Sequence, residues 1–328
     1  MMPAMMHAHM IVIAVIIACL LRALSLSIIR VSANRPSSNI NGQQNFQRHW
    51  AKTLSAFLVP PVFLMMTALA IVIMGPSSCH ALEGWLSYYL SIFFLFTAGL
   101  LWTRIGWNGF ISQRAVRRAP SQVIRTSLGP VRGHILDLPI AFSAQVGCWN
   151  PSLAVSSELI AHLDEAHLSA VIAHEKGHVH YKDTFWFLWL GGFRRLTFWL
   201  PGTEHLWQEL LLLRELRADR WAIQHVDKLV LAESLMRVVS MPTSSLSASN
   251  LFAPNILTSK SPKFETTTAA SFSCPASTDR LSRRVDAILA EDTICKSEKQ
   301  RLRGNHWISS WISIGGSLTP LLTIPFHH

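Results

Sequence analysis

The sequence predicts an α+β membrane protein, in which transmembrane helices precede a domain that contains a small β-sheet. Half of the 328 residues are hydrophobic and only 15% are charged, a balance that is unusual for a soluble protein. Long uncharged runs lie in the first third of the chain, and short alternating runs separated by turn residues follow them. Helical periodicity then dominates, so the strands precede most of the helices of the second part.

Three runs near the N-terminus have the length of a membrane span, which needs about 20 apolar residues. They are residues 10–29, which Arg22 interrupts, residues 54–74 and residues 85–103. A fourth candidate, residues 308–326, is diluted by Ser, Gly and Pro. A cleaved signal peptide is the alternative for the first run. Against it, the first nine residues carry no Lys or Arg, and the run exceeds the usual apolar region of about 7–15 residues.

The basic residues orient these spans. The net charge is +10, and six arginines but no acid lie between the third span and Asp137. Because Lys and Arg favour the cytoplasmic side, we expect the domain that follows to face the cytoplasm. Membrane lipid is therefore an expected partner and nucleic acid is not, since the charges flank the spans.

The five cysteines have no C-x-x-C spacing, which argues against a disulfide framework or a zinc ribbon.

Composition divides the chain into four predicted parts. Residues 1–120 form the membrane region, and residues 121–239 form a domain with three or four short strands followed by helices. Residues 240–305 are a flexible linker and a short helix, because the stretch up to Thr278 is rich in Ser, Thr, Pro and Ala. Residues 306–328 hold the candidate C-terminal span. Within the domain, two aromatic runs at 184–201 are each too short to span a bilayer and predict an interfacial or re-entrant hairpin.

The stretch SAVIAHEKGHVHYKD, residues 169–183, contains candidate metal ligands and a candidate catalytic base. On a helix, His174 and His178 stand four residues apart and project from one face, where both imidazoles can bind a single Zn²⁺. Glu175 can take the proton of a water molecule that attacks a carbonyl group. Gly177 weakens a helix, and a close approach of another backbone is one reason for its presence.

A catalytic zinc site needs a third protein ligand and one open coordination position. Glu215, in LRELRADRW on the next amphipathic helix, is the candidate for that ligand. Asp219 follows four residues later on the same face and can accept the second N–H of a ligating histidine. Asp183 is a further candidate for such a supporting contact. The alternative is that Glu215 is a solvated acid that pairs with one of its neighbouring arginines.

The stretch CWNPSLAVSSELIAHLDEAHLSAVIAHEKGHVHYKD, together with ELRADRWAI, resembles the BlaR/MecR-type integral-membrane zinc metallopeptidases. The resemblance covers about residues 121–239. It implies a zincin-like HExxH domain with Zn²⁺ at His174, His178 and Glu215, Glu175 as the base and Asp219 beside the ligands. Well-known members also carry a penicillin-binding domain with a Ser-x-x-Lys nucleophile. No lysine here has serine three residues before it, so a short form without the β-lactam receptor role is expected.

The motif and the apolar runs therefore predict a membrane-embedded zinc endopeptidase that cleaves a cytoplasmic or membrane-proximal protein. A bacterial cytoplasmic membrane and a role in signal transduction are what the resemblance implies. The strands before the motif helix could hold an extended peptide by strand addition. Two alternatives stay open. One is an HtpX-like or CAAX-type membrane protease, which shares HExxH and a later glutamate. The other is a non-catalytic membrane transducer, in which His180 or Asp183 would close a structural zinc site as a fourth ligand.

Overall fold

The computed structural model describes residues 6–33, 43–76, 81–138, 140–241, 269–271 and 278–290. Three long helices come first: α1 (Met6–Ala33), α2 (Gln43–Met74) and α3 (Ala81–Arg118). The next strands are β1 (Ser121–Ile124), β2 (Val131–Leu136), β3 (Ser143–Val146) and β4 (Ser152–Ser156). The helices that follow are α4 (Ser157–His162), α5 (Glu165–His180), α6 (Asp183–Leu196), α7 (Thr203–Ala222) and α8 (Lys228–Ser240). Strand β5 (Ala269–Ser271) and helix α9 (Thr278–Ala290) complete the described elements.

The described chain divides into two compact units whose segments alternate along the sequence. The helical unit takes the described residues up to Thr103 together with Gly192–Leu211. The mixed unit takes Arg104–Gly191 and the described residues from Leu212 onward, and it contains the whole sheet. The predicted domain boundaries at residues 120, 239 and 305 stay predictions.

Two described helical segments have the length and apolar composition of a membrane span, Asn45–Met74 and Gly84–Arg118. They correspond to the second and third predicted spans. The first predicted span lies in α1, whose apolar stretch Ile11–Ser27 is shorter than such a span. The fourth candidate, residues 308–326, lies outside the described residues.

Arg22 of α1 is fully buried in the helical unit, and α2 explains how it is accommodated. Pro61 lies inside α2 and has no N–H to give to the carbonyl group of Phe57 one turn earlier. The Arg22 Nη2 donates to that carbonyl oxygen at 3.3 Å, and its guanidinium lies 5.6 Å from the Phe57 ring centroid. The arginine therefore satisfies a backbone acceptor that the proline leaves without a helical donor.

The sheet of the mixed unit has the strand order β1-β2-β4-β3-β5. The β2–β4 pair is parallel and the other pairs are antiparallel. Side chains of β4 alternate between its two faces: Leu153 and Val155 join the core that includes α5, and Ala154 joins a smaller cluster around Phe142. The predicted short strands are thus present, and they hold α5 against one face of the sheet.

Two sequence-based expectations are wrong in part. The segment 240–278 contains a strand, because β5 pairs with β3 from Ala144 to Val146. The aromatic stretch 184–201 does not form a hairpin, since α6 continues as one helix to Leu196. A side chain at Gly192 inside α6 would overlap the indole of Trp102, which accounts for a glycine within this helix.

Candidate metal centre

Helix α5 carries the HEKGH motif, and its start is fixed by a side-chain cap. Asp164 accepts hydrogen bonds from the backbone N–H of His167 at 2.9 Å, which satisfies a donor that the first helical turn leaves open. Three turns further on, His174, Glu175 and His178 are all fully buried. Such complete burial of two histidines and an acid requires specific polar partners.

The end of α5 positions one of these partners. The helix stops at His180, and Lys182 takes a left-handed backbone conformation with φ of 53°. The chain therefore turns sharply and begins α6 at the buried Asp183. The Oδ2 atom of Asp183 lies 2.8 Å from Nδ1 of His178, in the supporting position expected from the sequence.

Helix α7 brings the other two predicted acids to the same place. The Oε2 atom of Glu215 lies 3.3 Å from Nε2 of His174 and 3.9 Å from Nε2 of His178. The two Nε2 atoms are 3.1 Å apart. Asp219, one turn further along α7, places Oδ1 2.7 Å from Nδ1 of His174.

These distances fit a zinc ion. Four ligands at about 2.0–2.1 Å in a tetrahedral arrangement are separated by about 3.3–3.4 Å, close to the three distances between the donor atoms. The second nitrogen of each imidazole faces a carboxylate, Asp219 at 2.7 Å for His174 and Asp183 at 2.8 Å for His178, so Nε2 is the nitrogen of each ring whose lone pair can face a metal. Two such lone pairs and a carboxylate oxygen of Glu215 converge on one point, which is the donor set of a catalytic zinc site.

Three arginines contact these carboxylates. The sequence analysis considered Arg214 and Arg217 only as possible partners of a solvated Glu215, and it did not assign Arg284. Arg214 donates to Oε1 of Glu215 at 2.7 and 3.0 Å, so Oε2 is the oxygen that faces the histidines. Arg217 pairs with Asp183. Arg284 of α9 donates to both carboxylate oxygens of Asp219 at 2.8 Å. Glu215 thus contacts a neighbouring arginine, as the alternative proposed, and also belongs to the cluster.

Burial and the charged neighbours shift the pKa values of these groups. Burial lowers the pKa of His174, but Asp219 and Glu215 outweigh it and raise that pKa to about 9. Burial dominates at His178 and lowers its pKa. Burial alone would raise the pKa of Glu215, yet Arg214 and His174 hold it well below its usual range. The two imidazoles therefore differ in basicity, and the neighbouring cations favour the ionised form of Glu215.

The remaining histidines of α5 lie outside the cluster. His180 is exposed, with its ring 6.0 Å from that of Trp221. His167 is buried and pairs through Nδ1 with the capping Asp164 at 2.6 Å. Asp183 contacts Nδ1 of His178, on the side of the ring away from the convergence point. Within the described part of the chain, the group of possible metal ligands comprises three residues, which leaves a coordination position for water or substrate.

A comparison with protein-family models bears on this geometry. Residues 139–212 match the model of Peptidase family M48. The M48-like segment contains strands β3 and β4 and the HEKGH motif of α5, and it ends just before Glu215. No curated protein matches the chain. The match supports a zinc metallopeptidase, and the small sheet followed by helices fits such a fold. Membership of the BlaR/MecR type stays a prediction, because the model that matches is that of Peptidase family M48.

Proposed function

We propose that this chain is a membrane-associated zinc endopeptidase of the HExxH type. In this proposal His174, His178 and Glu215 hold Zn²⁺, and Glu175 is the catalytic base. One observation carries the proposal: the two Nε2 atoms and Oε2 of Glu215 converge at 3.1–3.9 Å. The M48-like segment, which includes both histidines, supports the same activity.

The chemistry divides between the metal and the side chains. Zinc, when bound, supplies a Lewis acid that polarises the scissile carbonyl and brings the pKa of water toward about 7. Glu175 lies beside His174 on α5 and takes a proton as water attacks the carbonyl carbon. The same carboxyl group then returns the proton to the amide nitrogen as the C–N bond breaks, which leaves an amine and a carboxylate. Asp219 and Asp183 keep the imidazoles oriented throughout.

The substrate is a protein or peptide. An extended chain can add to a sheet edge through main-chain hydrogen bonds. Among the described strands, β1 and β5 form the two edges, and β5 already pairs with the outer side of β3. A peptide at this side of the sheet would therefore pair with β5 or replace it.

Membrane association rests on α2 and α3, whose apolar segments are long enough to cross a bilayer. The arginines that follow residue 103 favour a cytoplasmic site near the lipid surface, and a membrane-proximal protein as the substrate. The BlaR/MecR type, with a role in signal transduction, is the finer assignment that we propose. Substrate profiling separates it from an HtpX-like or CAAX-type protease, because the two differ in what they cleave.

The structural-zinc alternative is less well supported by the geometry. It needs a fourth protein ligand, for which His180 and Asp183 were the candidates. His180 is exposed, and Asp183 faces the other nitrogen of His178. Glu175 is fully buried beside the ligands, a position that a purely structural zinc site does not need to fill with an acid.

The test compares three forms of the full-length chain in detergent: wild type, Glu175→Gln and Glu165→Gln. Glu165 is exposed in the first turn of the same helix and is the matched control. We expect Glu175→Gln to retain zinc and to lose cleavage of a peptide library by at least about a hundredfold, because general-base catalysis is removed. Wild-type cleavage by Glu175→Gln, with zinc bound, would refute the proposed mechanism.

A further inference from the structure

Helix α9 adds a buried arginine to the site from a distant part of the sequence. Its apolar face, with Leu281, Val285 and Ile288, packs into the core to which α5 also contributes. Arg284 lies on this helix and is 5% exposed. A buried guanidinium needs a paired anion and specific hydrogen-bond acceptors, so its partners indicate its role.

Those partners are the acids of the metal centre. Nε and Nη2 of Arg284 each lie 2.8 Å from a different oxygen of Asp219, which is 1% exposed. Nη1 lies 3.6 Å from Oε2 of Glu215, the oxygen that faces the two histidines. This two-point contact fixes the plane of the Asp219 carboxylate, which a lysine ammonium cannot do in the same way.

A second contact of the same kind occurs on the other side of the site. On one side, Nδ1 of His174 faces the buried carboxylate of Asp219, which Arg284 contacts. On the other side, Nδ1 of His178 faces the buried carboxylate of Asp183, which Arg217 contacts. The arginines differ in their surroundings, since Arg217 is partly exposed over the ring of Tyr181.

We infer that Arg284 is a positioning residue of the metal centre, which holds Asp219 so that Nε2 of His174 is directed at the metal. The inference rests on the proposed function. An imidazole can rotate about its bond to Cβ, and only a fixed acceptor at Nδ1 sets the direction of the Nε2 lone pair. Asp219 is such an acceptor as long as both of its oxygens are held. Helix α9 is therefore a part of the metal centre, although Arg284 lies 65 residues after Asp219 in the sequence.

The test measures metal binding by the full-length chain in detergent, without any need for a known substrate. The forms are wild type, Arg284→Gln, Arg284→Lys and Arg280→Gln, the last as a control on the same helix. Zinc affinity is obtained by competition with a chromophoric chelator, and ligand geometry from the visible absorption of the Co²⁺-loaded protein. We expect Arg284→Gln to weaken zinc binding by about 10–100-fold and to alter the cobalt spectrum. Arg284→Lys should fall between it and wild type, and Arg280→Gln should behave as wild type.

The outcomes separate the possibilities. A folded Arg284→Gln with wild-type zinc affinity and cobalt spectrum would overturn the inference, even if its thermal midpoint were lower, because that is the result of a merely structural role. If Arg284→Gln does not fold, Arg284→Lys decides: weaker zinc binding with a changed spectrum supports the inference, and wild-type values overturn it. A wild-type chain that binds no zinc would instead refute the proposed function, and the inference with it.

Discussion

Gly177 of α5 lies directly against the backbone of Ala218 of α7. A Cβ atom at position 177 would stand 3.1 Å from both Cα and the carbonyl oxygen of Ala218. The sequence-based expectation of a close backbone approach at this glycine is confirmed. Because Gly177 lies between His174 and His178 in sequence order, and Ala218 between Glu215 and Asp219, this contact sets the distance between the two pairs of site residues.

Gly177→Ala is predicted to weaken metal binding although it favours helix formation by up to about 1 kcal/mol. The added methyl group meets backbone atoms, which cannot rotate away, so α5 and α7 must move apart by a few tenths of an ångström. We expect zinc affinity to fall by about tenfold or more, as judged by competition with a chelator. Gly106→Ala is the control, since a Cβ there meets no described atom within 4 Å. Equal affinities in the two variants would contradict the prediction.

The cap of α5 predicts a dependence of stability on pH. The backbone N–H of His167, with further contributions from the His167 side chain and Arg237, holds the pKa of Asp164 below its usual 3.8. A depressed pKa contributes stability above the usual value, and this contribution is lost as the pH falls through the folded-state pKa. Asp164→Asn keeps a capping side chain but does not titrate. We expect wild type to unfold at higher denaturant than Asp164→Asn near pH 6, with the difference disappearing near about pH 2. A difference that is constant across this range would contradict the prediction.

The contact between Arg22 and the carbonyl of Phe57 predicts an energetic coupling to Pro61. Pro61→Ala restores a backbone N–H one turn after Phe57, so the carbonyl no longer depends on the arginine. We expect Arg22→Leu to lower the free energy of unfolding by about 1 kcal/mol more when Pro61 is present than in the Pro61→Ala background. Thermal unfolding of the four proteins of this cycle in detergent measures the coupling. If the two substitutions change the free energy of unfolding additively, the hydrogen bond from Arg22 does not compensate for the N–H that Pro61 lacks.

Local patterns in the sequence were sufficient to predict the parts of the site that lie on single helices. The spacing of His174 and His178 places both rings on one face of α5, and the same rule links Glu215 to Asp219 on α7. The structure brings these four residues together with Asp183, and the short strands lie where turn residues separate alternating runs. The periodicity of apolar side chains and the preference of certain residues for turns depend on neighbours in the sequence. A single sequence is therefore enough to recognise them.

The features that the sequence analysis missed depend on contacts between distant segments. In the sequence, Arg284 is one of several charged residues on an amphipathic helix. Its role becomes visible only from the contact with Asp219 in the structure. Strand β5 has only three residues in a Ser/Thr/Pro-rich segment, and its pairing with β3 defines it. Gly192 lies inside a continuous helix, and the neighbouring indole of Trp102 accounts for a glycine at this position. Neither pairing nor packing between remote segments leaves a periodic signal.

The zinc content of the full-length chain, purified in detergent, tests the central claim most directly. The comparison is between wild type, Glu215→Ala and Glu209→Ala. Glu209 is another glutamate of α7, and it contacts His49 at 2.9 Å instead of the site histidines. We predict about one zinc per chain in wild type and Glu209→Ala, and loss or marked weakening of binding in Glu215→Ala. Absence of zinc from wild type, or equal zinc in all three, would contradict the assignment of His174, His178 and Glu215 as its ligands.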